Sequence, residues 1–329
     1  MKQFSCAFIK SVCILVIALL LLPSIHRVYA DNSARPMNIP VEKERLQRDV
    51  KTLTEMVPPR NAKNVVSLDK SAEYIHEEFR KTGGRVEIQR FTQDGKEYKN
   101  VICSFGPEAG ERIIVGAHYD VQGDQPGADD NASGVAGILE LSRLVRSLKT
   151  ELKYRIDFVA YTLEEGQFRK HPFARHYGSY NHAKSLARAG ISVRAMISLE
   201  MIGYFSDRPN SQKYPLFFLR WFYPDKGNFI AVVGKWGQGS LVKKVKKSLV
   251  ASSQVPVESL TAMSLLPGVS FSDHQSYWKF GYPAVMITDT AFYRNKNYHK
   301  PGDTADTLDY DRMAEVVKGL FGTIIQMQM

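Results

Sequence analysis

The spacing of apolar positions predicts helices and strands that alternate along most of the chain. Period-3.6 and period-2 patterns are typical of half-buried helices and strands. Strands are predicted at 85–91, 98–105, 112–117, 154–161, 193–199, 229–233, 255–260 and 284–288. Helices are predicted at 41–57, 67–82, 131–148, 179–189, around the basic run at 243–247, from Asp273 and at 309–326.

This order predicts an α/β fold, a three-layer α/β/α sandwich with a mixed, centrally parallel sheet. The first two strands flank Asp94 and Gly95, a strong hairpin signal, and should add antiparallel strands at one edge. No repeat or low-complexity linker divides the chain after residue 30. We therefore expect one domain over 31–329.

The first thirty residues have the pattern of a secretory signal peptide. Lys2 and Lys10 precede or border an apolar run at 12–22, and Ala30 ends a small-residue cleavage site. The run is shorter than the ~20 residues that span a bilayer. We expect cleavage after Ala30, a secreted or periplasmic protein and no stable membrane insertion afterwards. An uncleaved membrane anchor is the lesser alternative.

The charge distribution argues against a nucleic-acid-binding protein, and the cysteine content argues against an internal disulfide. The net charge is +10, but the basic residues are dispersed except for 243–247, where the apolar spacing indicates a solvated helix face. Without a binding motif, nucleic acid is not an expected partner. Cys103 is the only cysteine after residue 30, so no internal disulfide is expected. Its place in a strand predicts a buried structural thiol. The oligomeric state is not predicted.

The segment 116–134 contains one histidine and four aspartates between a strand and a helix. His118 and Asp120 are two residues apart and should project to the same face. Asp129 and Asp130 lie at the start of the helix, where one of them could simply be an N-cap. We expect Asp130 to be functional, Asp129 to be local structure and Asp124 to be an ordinary loop residue.

Further candidates follow other strands. Glu164 and Glu165 follow the strand at 154–161, Glu200 follows 193–199, and His299 lies in a loop before the last helix. Sites in such sheets form at the carboxyl ends of strands, and zinc takes histidine and carboxylate ligands. Asp273 is expected to cap a helix, with His274 nearby but not a ligand. His171, His176 and His182 are expected in a loop at the rim.

Six motifs occur in this order: Gly-Ala-His-Tyr-Asp, Pro-Gly-Ala-Asp-Asp-Asn-Ala-Ser-Gly, Leu-Glu-Glu, Leu-Glu-Met-Ile-Gly-Tyr, Ser-Asp-His and Tyr-His-Lys-Pro-Gly-Asp-Thr. Over about residues 100–310 the chain resembles the dizinc aminopeptidase family that includes secreted bacterial leucyl aminopeptidases. Glutamate carboxypeptidases and glutaminyl cyclases are relatives of that family. The resemblance implies a zinc exopeptidase that releases N-terminal residues from peptides with a free N-terminus.

The resemblance also implies a role for each site residue. Two zinc ions per chain would share a water, and Glu164 would be the general base. Asp120 would orient His118, and the Asp130–Asn131 peptide bond would be cis. Glu200 stands where aspartate is the commoner ligand, which affects the geometry of its zinc. The implied ligands are His118 and Glu200 for one zinc, Glu165 and His299 for the other, and Asp130 as the bridge.

Three other functions remain open from the sequence. A carboxypeptidase could use Arg169, Arg175 or Arg294 to bind a terminal carboxylate. A glutaminyl cyclase would be expected to work with one zinc, whereas His118 and Glu200 together favour two. A non-catalytic binding domain of the same fold predicts loss of ligands or of the base, and none is lost here.

Overall fold

The computed structural model describes residues 40–165 and 177–329, and its centre is an eight-stranded sheet. The strands are β1 (Arg85–Gln93), β2 (Lys96–Phe105), β3 (Arg112–His118), β4 (Arg155–Tyr161), β5 (Val193–Glu200), β6 (Ile230–Lys235), β7 (Val257–Ala262) and β8 (Ala284–Thr288). The helices are α1 (Lys43–Thr54), α2 (Val65–Arg80), α3 (Gly134–Arg146), α4 (Tyr177–Arg188), α5 (Gly239–Ser252), α6 (His274–Trp278) and α7 (Tyr310–Gln328).

The strand order is β1-β2-β4-β3-β5-β8-β6-β7. Strands β4, β3, β5 and β8 are parallel, and the β1–β2 hairpin joins them through an antiparallel pair with β4. The prediction of a mixed, centrally parallel sheet is therefore confirmed. The sequence pattern did not predict that β6 runs antiparallel to β8, with β7 parallel beyond it.

Helices cover both faces of the sheet, as a three-layer sandwich requires. One face packs against α1, α2, α3, α5 and α7, with Leu46, Ile75 and Val317 among the fully buried residues. The other face packs against α4 and α6 through Leu186 and Tyr277. Cys103 is fully buried, which confirms the predicted buried thiol, and this burial raises its pKa to about 12.

Most element boundaries lie within a few residues of the predictions. The helix predicted from residue 131 is α3, which begins at Gly134. A wider turn at Ala128–Ser133 precedes it, and the Asp130–Asn131 peptide bond within this turn is cis, as the resemblance implied. The sequence predicted no element between β5 and β6, where a short 3-10 helix forms at Phe217–Trp221.

Among the helices in the described part of the chain, none combines the length and apolarity needed to cross a bilayer. The predicted signal peptide, residues 1–30, lies outside the described residues.

Candidate active site

His118 ends the buried parallel strand β3, and its ring is completely buried. Its Nδ1 lies 3.1 Å from the backbone carbonyl oxygen of Asp120, while a carboxylate oxygen of Asp120 is 3.7 Å away. The carbonyl is thus the closer partner of Nδ1. The other ring nitrogen, Nε2, faces the carboxylates of Asp130 and Glu200. A hydrogen bond of this kind fixes the orientation of a metal-binding imidazole.

The Asp120 carboxylate holds the neighbouring loop. Its two oxygens accept hydrogen bonds from the backbone N–H groups of Glu164 and Glu165, at 3.1 and 3.0 Å. All three residues are buried. Asp120 therefore joins two elements. Its backbone carbonyl contacts His118 at the end of β3, and its carboxylate binds the turn after β4.

Asp130 lies between two histidines that come from distant parts of the chain. Its Oδ1 is 3.4 Å from His118 Nε2, and its Oδ2 is 3.0 Å from His299 Nε2. The Asp303 carboxylate supports the loop by accepting from the backbone N–H groups of Asp129 and Asp130, at 3.0 and 3.1 Å. Each carboxylate oxygen of Asp130 thus faces a different histidine.

Each histidine also faces a second carboxylate. Glu200 Oε2 lies 3.4 Å from His118 Nε2, and Glu165 Oε1 lies 3.1 Å from His299 Nε2. The structure brings all five predicted ligands into one cluster, arranged as two histidine–carboxylate pairs that share Asp130. Glu164 is buried beside them, and its charge contributes to the raised pKa values of both Glu165 and Glu200.

Two serines position Glu200. Ser272 Oγ donates to Glu200 Oε2 at 2.7 Å, and Ser198 Oγ lies 2.8 Å from Ser272 Oγ. Ser198 and Ser272 are fully buried. Glu200, which stands where aspartate is the commoner ligand, therefore has its own buried hydrogen-bond partner. The sequence did not predict this contact.

The donor set fits zinc. Two imidazole nitrogens and three carboxylates are ligand types that zinc takes in proteins. Within the described residues, His118 Nε2 and Asp130 Oδ1 are buried without a hydrogen-bond partner, and such atoms need another source of stabilisation. A cation between these two atoms would supply it.

The electrostatics also favour a cation. Burial opposes charge on both histidines, but Glu200 and the other carboxylates raise the pKa of His118 well above its usual value. Asp130 and Glu165 raise the pKa of His299 to about 10 against the same opposing effect. Burial and the charge of Asp130 raise the pKa of Glu165 to about 8. The cluster therefore stabilises positive charge at the position shared by the two pairs.

Several other sequence predictions are corrected. Asp129 makes no capping bond and instead accepts hydrogen bonds from Gly203 N and Asn295 Nδ2, at 3.0 and 2.9 Å. Asp273 does stand at the N-cap of α6, as predicted, although its side chain makes no capping bond there. His182 is a buried residue of α4 and not part of a rim loop. His171 and His176 lie outside the described residues.

The predicted role of Arg294 in binding a substrate carboxylate finds no support in its surroundings. Arg294 is buried, its Nε donates to Gln212 Oε1 at 3.0 Å, and its Nη1 donates to the Phe229 carbonyl at 2.9 Å. These contacts hold the segment between β5 and β6, and they give the carboxylate-binding hypothesis for Arg294 no support. Arg169 and Arg175 lie outside the described residues.

An apolar cavity opens beside Glu200. The strand residues Thr288, Ala231 and Met286 line its floor, and aromatic side chains form much of the remaining wall. Those aromatic residues are Tyr214, Tyr223, Phe229, Phe271, Phe292, Tyr293 and Tyr298. Tyr298 also stacks on the His299 ring, with 3.7 Å between ring centroids, so the cavity wall and the cluster are in direct contact.

Comparison with known proteins identifies the family. Residues 100–324 match the family model of peptidase family M28. The chain belongs to peptidase family M28. The matched range includes all seven predicted site residues, and it confirms the family resemblance and the interpretation of the chain as a peptidase.

Two relatives of this M28 peptidase show how far the similarity extends. It is 48% identical over 285 residues to the uncharacterized protein YfbL of Escherichia coli, covering 84% of this chain and 86% of that protein. It is 27% identical over 313 residues to a probable leucine aminopeptidase of Arthroderma otae, covering 90% and 75%. Family membership and the aminopeptidase relatives support a zinc exopeptidase.

Solved structures share the fold of this M28 peptidase. The zinc aminopeptidase BSAP of Bacillus subtilis superposes with a TM-score of 0.67 at 16% identity, covering 88% of this chain and 95% of that one. The glutaminyl cyclase of Fimbriiglobus ruber also has a TM-score of 0.67, at 19% identity, covering 92% and 100%. The α/β sandwich prediction is thereby confirmed, and the fold is compatible with either chemistry.

Proposed function

We propose that this M28 peptidase is a dizinc aminopeptidase that removes N-terminal residues from peptides with a free α-amine. The observation that carries the proposal is the arrangement of two histidine–carboxylate pairs around Asp130, whose two oxygens face different histidines. A single-metal site needs only one such pair. Two histidine–carboxylate pairs that share Asp130 provide enough ligands to hold two metal ions side by side.

His118 and Glu200 would hold one zinc, Glu165 and His299 the other, and Asp130 both. When bound, zinc supplies Lewis acidity toward the scissile carbonyl and lowers the pKa of a water molecule. The backbone carbonyl of Asp120 keeps the His118 ring oriented, and Ser272 keeps one oxygen of Glu200 fixed. These contacts preorganise the ligands, so little rearrangement accompanies metal binding.

Glu164 is the general base in this proposal. It neighbours the ligand Glu165 in a turn whose backbone is fixed by Asp120. A general base must stay close to the reacting water without being used as a ligand. Glu164 accepts a proton from the attacking water and passes it to the leaving amine.

The apolar cavity beside Glu200 supports an exopeptidase that accepts one side chain at the metal centre. Clustered apolar walls with a few polar groups are typical of such binding sites. An N-terminal side chain in this cavity would place its own carbonyl next to the ligand cluster. Arg294 is buried and donates hydrogen bonds to Gln212 and to the Phe229 carbonyl, so it gives no support to a carboxypeptidase.

A glutaminyl cyclase is the second candidate, because the F. ruber cyclase shares the fold over its whole length. A cyclase acts on an N-terminal glutamine and removes no residue.

We further propose that the segment 1–30 directs export of the protein, because it has the basic start, the apolar run and the small-residue ending of a signal peptide.

A peptide panel with mass readout tests the proposal. It contains one sequence with a free amine, the same sequence N-acetylated, the same sequence C-amidated, and one with N-terminal glutamine. We expect stepwise loss of N-terminal residues from the free-amine and C-amidated peptides and none from the acetylated one. Loss of C-terminal residues, or loss of only ammonia from the glutamine peptide, would contradict an aminopeptidase.

A further inference from the structure

The floor of the apolar cavity is a row of residues aligned across four strands. Glu200 pairs with Thr288, Thr288 with Ala231, and Ala231 with Glu258. All four line the cavity. Paired residues on neighbouring strands project to the same face of a sheet. The row therefore runs from a predicted metal ligand on β5 to the edge strand β7.

The register fixes the length of this row. Neighbouring strands lie about 4.8 Å apart, so three steps from β5 to β7 span about 14 Å. A second row, Met286, Val233 and Leu260, lies beside the first on the same face of the sheet. The cavity is thus a trough across the sheet, and a side chain that enters at Glu200 extends toward β7.

Ala231 is the small residue at the centre of the row. It lies between Thr288 and Glu258, where a longer side chain would project into the cavity and divide it. The roof above is held in place, because Tyr223 donates a hydrogen bond to the Ser259 carbonyl at 2.7 Å and stacks on Tyr214. The depth of the cavity consequently depends on the size of residue 231.

The far end of the trough offers no unpaired charge. Glu258 Oε2 lies 3.5 Å from Nζ of Lys246, whose side chain is buried, so the carboxylate already has a counter-charge beside it. A cationic substrate side chain would have to compete with Lys246. Apolar walls and an end whose carboxylate is paired with Lys246 select for an apolar side chain instead of a basic one.

We propose that Ala231 determines specificity, and that the cavity selects peptides whose N-terminal side chain is aromatic or long and unbranched, such as phenylalanine or methionine. The inference rests on the proposed aminopeptidase function and deepens it. A phenylalanine or methionine side chain is longer than a leucine side chain and would therefore extend farther along the trough, over Ala231. Each additional buried methylene contributes about a tenfold or greater preference.

The test compares kcat/KM for tripeptides X-Ala-Ala, with X as alanine, leucine, methionine, phenylalanine or arginine. For the wild-type protein loaded with zinc, we expect phenylalanine and methionine to exceed alanine by at least about tenfold, and to exceed arginine. In Ala231→Leu, the phenylalanine-to-alanine ratio should fall by about tenfold or more. Ala187→Leu, an exposed position on α4, should keep the wild-type ratio.

If Ala231→Leu does not fold, Ala231→Val provides a smaller increase in side-chain size. This variant should lower the phenylalanine-to-alanine ratio of kcat/KM by less than the leucine variant would. Unchanged ratios in the folded Ala231 variants would overturn the inference, as would a wild-type enzyme that cleaves the alanine and phenylalanine peptides equally or prefers arginine. These outcomes leave the proposed function intact. A wild-type protein that cleaves no free-amine peptide would overturn both.

Discussion

The carboxylate of Asp120 accepts a hydrogen bond from the backbone N–H of Glu164 at 3.1 Å. The same aspartate reaches His118 through its backbone carbonyl at 3.1 Å. One residue therefore positions both a predicted zinc ligand and the predicted general base. This double role explains why an aspartate stands two residues after the histidine: a single side chain and its own backbone hold two strand ends together.

Asp120→Asn tests the part of this role that the carboxylate plays, because the backbone carbonyl facing His118 is unchanged in the variant. The amide oxygen can replace only one carboxylate oxygen, so the N–H of either Glu164 or Glu165 would face an amide NH2 group. We expect kcat to fall by about tenfold to a hundredfold, with the zinc content largely kept. Steady-state kinetics and metal analysis measure the two quantities. Asp124→Asn, in the loop of the same segment, is the matched control and should keep wild-type kcat.

Glu164→Gln removes the proposed base while keeping the size of the side chain. General acid–base catalysis contributes about a hundredfold to ten-thousandfold, and kcat should fall by that order. Because Glu164 is not a ligand in this account, the variant should bind as much zinc as the wild-type protein. Wild-type turnover in a zinc-loaded Glu164→Gln sample would remove this residue from the mechanism.

Ser272→Ala tests the support of Glu200. The variant loses the hydrogen bond to Glu200 Oε2, and loss of such outer partners weakens metal affinity by about tenfold to a hundredfold. Competition with a chelator of known zinc affinity measures the change for the more weakly bound ion. Ser270→Ala is the matched control, since Ser270 Oγ donates to the Ser264 carbonyl and not to a ligand. Equal zinc affinity in the two variants would contradict the role of Ser272.

The buried His182 should lower the free energy of unfolding in acid. Burial lowers its pKa to about 4, below the unfolded value of about 6.5. The unfolded chain therefore binds more protons between these two pH values, and the free energy of unfolding should decrease as pH falls from 6.5 to 4, by about 3 kcal/mol. Urea unfolding at several pH values measures it. His182→Gln should show a shallower dependence, and an unchanged slope would refute this contribution.

Much of this organisation is predictable from the sequence, because local patterns determine it. Apolar spacing locates the strands, and the carboxyl-end rule brings His118, Glu165 and Glu200 together before any coordinates are known. The direction of β6 is not predictable in this way, because it depends on the path of the segment between β5 and β6, which has no regular period.

The polar contacts beneath the site also escape sequence analysis. Asp129 looks like a helix cap locally, but its partners Gly203 and Asn295 are 74 and 166 residues away along the chain. Ser272 is likewise separated from Glu200 by 72 residues. Hydrogen bonds of this range follow from the packed fold, and no spacing in the sequence encodes them.

The zinc content of the protein tests the central claim most directly. The two histidine–carboxylate pairs around Asp130 predict two zinc ions per chain in protein purified without chelators, measured by mass spectrometry of the metal against protein concentration. His118→Ala and His299→Ala should each reduce the content toward one ion. A wild-type content of one ion, unchanged after incubation with zinc, would contradict the dizinc account.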